Sequence, residues 1–203
     1  MIILGLNVFH GDSSACIIKD GVLISAIEEE RFTRIKHTAG FPVQAIKSCL
    51  SECKIKIDEI DYITLNRNPN LRILKKIIYA ITRGLLVKKI NDRYKNYKLI
   101  KNIEQEFNKY FDIKSNLVDK IIYTDHHLSH AAGSVLSSGF KNSSYITIDG
   151  FGDFVSTTLG NYENNMEILK ICLKTIFLNP DKMYKLKFGN IEVVPKNYDE
   201  DTH

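Results

Sequence analysis

Short apolar runs alternate with polar loops over the first thirty residues. The runs cover 2–6, 15–18 and 22–27. A polar, glycine-containing loop at 7–13 separates the first two runs, and Asp20-Gly21, a strong two-residue hairpin signal, separates the last two. This pattern predicts a three-stranded β-meander.

Longer patterns follow the meander. Apolar residues at helical spacing predict helices, and short β-rich runs predict strands. In chain order we expect a helix at 42–53, a strand at 60–65, a helical region at 67–101, a helix at 100–111, a strand at 120–124 and a helix at 126–136. The order βββαβαβα favours an α/β fold in which helices cover a mixed sheet.

The meander pattern then recurs. An apolar run at 145–148 is followed by an acidic, glycine-rich loop at 149–153 and by further runs at 156–161 and 166–173. Two such copies are typical of the lobes of a duplicated ribonuclease-H-like fold. We therefore expect a first lobe at 1–140 with a basic helical insertion at about 67–112, the start of a second lobe at 141–174, and an atypical tail at 175–203.

Composition and charge narrow the class of protein. The 203 residues are 44% hydrophobic and 26% charged, which excludes a disordered or low-complexity chain. The N-terminus has no basic region before its apolar run, and Arg83 interrupts the most apolar later stretch. We expect no signal peptide, no transmembrane segment and a cytoplasmic location.

The cationic charge is concentrated in one segment. Residues 67–101, the basic segment, contain eleven Lys or Arg and one acidic residue, Asp92. Leu71, Leu74, Ile78, Ile81 and Leu85 recur there at helical spacing, which predicts an amphipathic helix. A solvated face on a helical insertion is the simpler interpretation, and an anionic partner is the alternative. The segment lacks the interleaved aromatic residues of a nucleic-acid reader, so no specific nucleic acid is expected.

The most specific chemical pattern is a histidine cluster. His126 and His130 are four residues apart, so a helix places them on one face, about 6 Å apart at Cβ. Asp149 at a strand end would complete a two-histidine, one-carboxylate metal site for Fe(II), Mn(II) or Zn(II). Histidines that only hydrogen-bond at a helix start are the alternative. His127 points about 100° away, toward a supporting position or toward substrate.

Two further groups are candidates for substrate chemistry. Arg31, Arg34, Lys36 and His37 follow a predicted strand in what we expect to be a loop, where a guanidinium could bind phosphate or carboxylate. His10 lies beside Gly11 and Asp12 in the first loop, and a histidine is a common general base near neutral pH.

These blocks together carry a family resemblance. The sequence contains Phe9-His10-Gly11-Asp12-Ser13-Ser14-Ala15, the Glu28–His37 run, Phe41-Pro42, the histidine cluster with Ala131-Ala132, and Asp149-Gly150 with Gly152. Their order and spacing up to about residue 174 resemble the N-terminal region of the nodulation-factor, cephamycin and tobramycin O-carbamoyltransferase family.

The resemblance implies a fold and an activity. Family members have an actin-like (ASKHA) domain, related to the tRNA threonylcarbamoyl-transfer protein, and a YrdC-like domain. The YrdC-like domain makes carbamoyl-adenylate from carbamoyl phosphate and ATP, and the actin-like domain transfers the carbamoyl group to a hydroxyl acceptor. By this resemblance His10 is the catalytic candidate, and His126, His130 and Asp149 hold a divalent metal. The residues expected to contact substrate or nucleotide are Asn7, Gly11, Asp12, Arg31, Lys36, His37, His127, Gly150 and Gly152.

The chain also departs from the family pattern. Two glycine-containing blocks that help to enclose the nucleotide are missing, as is the YrdC-like domain, and Asp153 stands where glutamate is common. We therefore expect an incomplete carbamoyltransferase chain that needs a missing or separately encoded second lobe and YrdC-like domain. A degenerate, non-enzymatic binding module with a basic helical surface is the main alternative. A sugar-kinase-like phosphotransferase is disfavoured, because Asn7 replaces the aspartate that such enzymes use for Mg²⁺.

Overall fold

The computed structural model describes residues 1–71, 73–82, 87–113, 116–150, 155–163, 186–188 and 191–193. The strands are β1 (Ile2–Asn7), β2 (Ser14–Lys19), β3 (Val22–Glu28), β4 (Tyr62–Leu65), β5 (Ile121–Tyr123), β6 (Asn142–Ile148), β7 (Thr157–Glu163), β8 (Leu186–Phe188) and β9 (Ile191–Val193). The helices are α1 (Glu30–Thr33), α2 (Val43–Cys53), α3 (Ile73–Thr82), α4 (Val87–Lys101), α5 (Ile103–Tyr110) and α6 (His126–Ser138), with 3-10 turns at Ile57–Glu59 and Val118–Lys120.

Five strands form the main sheet in the order β3-β2-β1-β4-β5. The meander β1-β2-β3 is antiparallel, whereas β4 pairs parallel to β1 and β5 parallel to β4. The carboxyl ends of β1, β4 and β5 therefore lie at one edge of the sheet. The predicted mixed α/β class is confirmed, while the finer division into actin-like lobes stays a prediction.

One face of the sheet carries the main core. Leu4, Ile17 and Ile63 from the strands are buried with Ile46 of α2 and Phe107 of α5. Glu29 holds the start of α2 against this face. Its buried carboxylate accepts hydrogen bonds from the backbone N–H groups of Gln44 and Ala45. That carboxylate supplies the cap that α2 lacks in its own sequence.

A second, two-stranded sheet pairs β6 antiparallel with β7 and packs against α6. Tyr145 lies across Gly160 on the facing strand, where a Cβ atom would overlap the tyrosine ring and hydroxyl. Glycine at position 160 is therefore a packing requirement. β8 and β9 form a separate antiparallel pair.

Several boundaries differ from the expectations. The helix expected at 100–111 begins at Ile103, because α4 continues through Ile100 and ends at Lys101. Within its described residues the basic segment contains the helices α3 and α4, in line with the expected helical region. Leu74 and Ile78 of the predicted apolar stripe are 76% and 60% exposed, so these two residues do not pack on the core. The strand expected at 166–173 lies outside the described residues, as does Leu85.

No helix in the described parts of the chain is both long enough and apolar enough to cross a membrane.

Candidate functional site

The histidine helix begins immediately after β5, at the sheet edge that carries the ends of β1 and β4. Thr124 fixes this start, because its backbone N–H and its hydroxyl both donate to the carbonyl of Leu65, at 2.9 and 2.7 Å. Asp125 is the N-cap of α6, and its carboxylate accepts the backbone N–H groups of His127 and Leu128 at 2.9 and 3.2 Å. An aspartate at this position satisfies the unpaired N–H groups of the first turn.

Three predicted ligands converge at the beginning of α6. The Nε2 atom of His126 lies 3.1 Å from Nε2 of His130 and 2.9 Å from Oδ2 of Asp149. The three candidate ligand atoms all lie within 4.8 Å of one another. We call His126, His130 and Asp149 the three-residue site.

The donor set fits a divalent transition metal. Metal–ligand bonds of about 2.0–2.2 Å separate adjacent ligand atoms of one ion by roughly 3.0–3.4 Å, and two of the three separations are close to that range. Two imidazoles and one carboxylate suit Fe(II), Mn(II) or Zn(II), and they leave coordination positions open. His126 is 8% exposed, whereas His130 and half-buried Asp149 reach the surface. A ligand could therefore approach from solvent.

Burial lowers the pKa of His130, and the neighbouring His126 lowers it further, although Asp149 opposes the shift. A lowered pKa keeps an imidazole neutral at neutral pH. The neutral form has the lone pair that a metal ligand needs.

His127 supports the three-residue site from the buried side of α6. The residue is 1% exposed, and its two ring nitrogens lie 2.7 Å from the Thr147 hydroxyl of β6 and 2.7 Å from the Val155 carbonyl before β7. A carbonyl only accepts hydrogen bonds, so Nε2 carries a proton, and in the neutral ring Nδ1 accepts from Thr147. Of the two roles expected for His127, the geometry favours support. Both ring nitrogens bond to the protein, which disfavours the direct contact with substrate that was also expected.

Asp149 is fixed by the same two strands. It follows β6 directly, and its backbone N–H donates to the carbonyl of Ser156 at 2.8 Å. His127 links α6 to β6 and to the segment before β7. This link brings His126, which precedes His127 in α6, close to Asp149, which follows β6. Gly150 is exposed and open around its Cα, and Gly152 lies outside the described residues.

The first loop, residues 8–13, lies at the end of β1. Asn7 closes it, because the side-chain amide donates to the carbonyls of Gly11 and Asp12 at 3.2 and 2.8 Å. Asn66, at the end of β4, donates to the Asn7 side-chain oxygen at 3.1 Å. The sequence analysis missed Asn66; its position just after the strand predicted at 60–65 was the available signal. His10 is exposed, and its Nδ1 lies 3.3 Å from the Gly11 carbonyl.

His37 joins a second loop to the first. Its Nδ1 lies 2.8 Å from Oδ1 of Asp12, and both side chains are exposed. Both residues have positive φ values, 56° for His37 and 61° for Asp12, in a region that non-glycine residues rarely adopt. The Ser13 N–H and hydroxyl also donate to the Thr38 carbonyl. The pair is therefore held by the backbone of both loops.

The cationic residues near this loop are placed differently from the expectation. Arg31 lies in the short helix α1 and not in a loop, and its guanidinium lies 3.5 Å from Glu28 and 3.6 Å from Glu30. These carboxylates hold the guanidinium that was expected to bind phosphate. Arg34 ends α1 with a φ of 60°, and Lys36 follows it exposed to solvent.

Comparisons with known proteins agree on the family. Residues 2–179 match the family model described as carbamoyltransferase N-terminus. The nodulation protein NolNO of Sinorhizobium fredii is 34% identical over 156 residues, which cover 75% of this chain and 21% of NolNO. An uncharacterised protein of Synechocystis is 32% identical over 80% of this chain and 28% of its own length. Another, of Methanocaldococcus jannaschii, is 33% identical over 82% and 26%. The chain thus spans about a quarter of the length of these curated relatives.

Proposed function

The chain belongs to the carbamoyltransferase N-terminus family, and on that premise we propose that it supplies one part of an enzyme that carbamoylates a hydroxyl acceptor. The observation that carries the proposal is the convergence of His126, His130 and Asp149 at the start of α6. Family membership gives the reaction class, and the cluster gives a place where the reacting groups could be held.

The proposed donor is carbamoyl-adenylate, made from carbamoyl phosphate and ATP. In the transfer, the acceptor oxygen attacks the carbamoyl carbon, the bond from that carbon to the AMP phosphate oxygen breaks, and AMP leaves. Because the chain spans about a quarter of its relatives, adenylate formation and part of the substrate pocket are assigned to polypeptide beyond this chain. A YrdC-like domain is the partner proposed for the first step.

His126, His130 and Asp149 would hold a divalent ion through two Nε2 atoms and one carboxylate oxygen. Such an ion would supply Lewis-acid stabilisation of negative charge on a phosphoryl or carbonyl oxygen. His127 positions the ligands, because its hydrogen bonds to Thr147 and Val155 fix α6 against β6. Asp125 supports them by capping the helix.

His10 is the group proposed to take the proton from the acceptor hydroxyl. It lies on the first loop at the end of β1, and α6 begins after β5. β1 and β5 both run parallel to β4 and flank it, so the two strand ends from which these groups start lie at one edge of the sheet, about 10 Å apart by strand spacing. The donor would lie between the two groups. The Asp12–His37 pair lies against the same loop and is proposed to contact the acceptor or nucleotide.

The sugar-kinase alternative is not supported by the first loop. A kinase needs a free carboxylate for Mg²⁺ at the end of β1, but the side chain there is the Asn7 amide. Both ends of that amide are engaged, with Gly11 and Asp12 on one side and with Asn66 on the other.

Metal loading tests the proposed site directly. The metal-depleted chain is titrated with Zn(II), Mn(II) and, without oxygen, Fe(II), and bound metal is counted by elemental analysis. We expect one ion per chain and at least a hundredfold weaker binding in His126→Ala and Asp149→Asn. His37→Ala is the matched control, because it removes another histidine that faces a carboxylate. Equal binding by His126→Ala and the parent chain would refute the metal site.

A second measurement tests carbamoyl transfer separately from metal binding. A non-hydrolysable carbamoyl-adenylate analogue should bind to the metal-loaded chain more tightly than to the depleted chain. His10→Ala should leave metal stoichiometry unchanged and should abolish transfer when the chain is combined with a polypeptide that supplies the remaining family domains. Full carbamoyl transfer by the His10→Ala variant would show that His10 does not take the proton from the acceptor.

A further inference from the structure

The helix α3 turns an apolar face to solvent. Ile73, Leu74, Ile77 and Ile78 are 38%, 76%, 49% and 60% exposed. At 100° per residue these four positions span an arc of about 140°, which we call the α3 face. A surface helix of a globular protein normally packs such a stripe on the core. The α3 face is exposed instead, so packing against the described core does not account for its apolar residues.

Almost all of the charged residues in the sequence in and around α3 are cationic. Helical spacing places Lys75 and Lys76 outside the arc of the α3 face. The whole basic segment carries a net charge of +10. An occupant that complements this surface must therefore offer both apolar material and negative charge.

The composition of the segment distinguishes a lipid surface from a protein surface. Seven of its eleven cations are lysines, and the α3 face contains only leucine and isoleucine. Protein interfaces are depleted in lysine, and their anchors are mostly aromatic residues or arginine. Lysines beside an aliphatic stripe are typical of helices that lie in the headgroup region of anionic membranes.

We propose that α3 is an interfacial helix that binds the chain to the surface of an anionic bilayer. Its ten residues extend about 15 Å, half the hydrocarbon thickness of a membrane, so it lies on the bilayer and does not cross it. The apolar face inserts among the acyl chains, while the lysines contact lipid phosphates. This inference is independent of the proposed carbamoyl transfer, since it uses no residue of that site.

Sedimentation of the 203-residue chain with lipid vesicles tests the proposal. Vesicles of phosphatidylcholine are compared with vesicles containing 30% phosphatidylglycerol, at low and at physiological salt. We expect at least tenfold tighter binding to the anionic vesicles, and weaker binding as salt rises. Lys75→Gln and Lys76→Gln should each weaken binding about fivefold.

Leu74→Asp and Ile77→Asp test the apolar contribution, and each should weaken binding more than tenfold. Phe140→Asp is the matched control: Phe140 is 65% exposed and lies outside the basic segment in sequence, so the same change there should alter binding less than twofold. Circular dichroism and a thermal melt verify that all three variants remain folded.

Three results would overturn the proposal. The first is equal binding to neutral and anionic vesicles or binding to neither. The second is an equal effect of Phe140→Asp. The third is a change of Leu74→Asp from dimer to monomer in sedimentation equilibrium without an effect on vesicle binding, which would assign the α3 face to a second copy of the chain.

Discussion

Two histidine–carboxylate groups at one edge of the main sheet are built in different ways. In the three-residue site, His126 is 8% exposed and lies on a capped helix that His127 locks to the second sheet. In the Asp12–His37 pair, the His37 side chain is 79% exposed and the two loops are joined mainly through their backbones. Their heavy-atom separations are nearly the same, 2.9 and 2.8 Å.

The difference teaches that a short contact does not by itself mark a preorganised site. A buried group held by neighbours loses little further freedom when a ligand binds, whereas an exposed pair is solvated and its contribution is small. The three-residue site is therefore suited to hold an ion, and the Asp12–His37 pair is suited to adjust to a substrate. Three substitutions test this contrast, ordered here by decreasing effect.

His127→Ala should have the largest effect. It removes two buried hydrogen bonds, leaves the Val155 carbonyl without its His127 partner while the Thr147 hydroxyl keeps its contact with Thr158, and creates a cavity. We expect the free energy of unfolding to fall by about 3 kcal/mol, measured by urea denaturation. Metal affinity should fall ten- to a hundredfold, because the ligands lose their support. A change below about 0.5 kcal/mol would show that α6 does not depend on His127.

Asp125→Ala should have an intermediate effect. It removes the cap of α6, and we expect about 1 kcal/mol of lost stability in the same assay. Asp125→Asn is the control, since asparagine also accepts from the first-turn N–H groups and should recover most of the loss. If both variants were equally destabilised, the charge of Asp125 and not its capping bond would be the cause.

His37→Ala should have the smallest effect. An exposed contact between a histidine and a carboxylate contributes little to stability, so we expect the free energy of unfolding to change by less than about 0.5 kcal/mol, with metal stoichiometry unaltered. A loss above 1 kcal/mol would mean that the two loops are as firmly built as the three-residue site, and the contrast between the groups would fail.

Local chain patterns predicted the meander of β1, β2 and β3, the helix α2 and the start of α6 correctly to within a residue or two. These elements were predictable because the turn signal Asp20-Gly21 and the helical spacing act over neighbouring residues. Helical spacing also predicted that His126 and His130 share one face. The roles of Arg31 and His127 were not predictable, since they depend on Glu28 and Glu30 in space and on Thr147 across the fold.

The sequence by itself determined most of the strands and helices of the main sheet, which family the motifs resemble, and where the positive charge is concentrated. Only the tertiary structure decided that His127 is buried, that Asp149 meets the imidazoles of His126 and His130, and that the α3 face is exposed to solvent. The physical reason is range. Propensity and periodicity act between residues a few positions apart, whereas burial and convergence depend on packing between segments such as α6 and β6, which only the folded chain brings together.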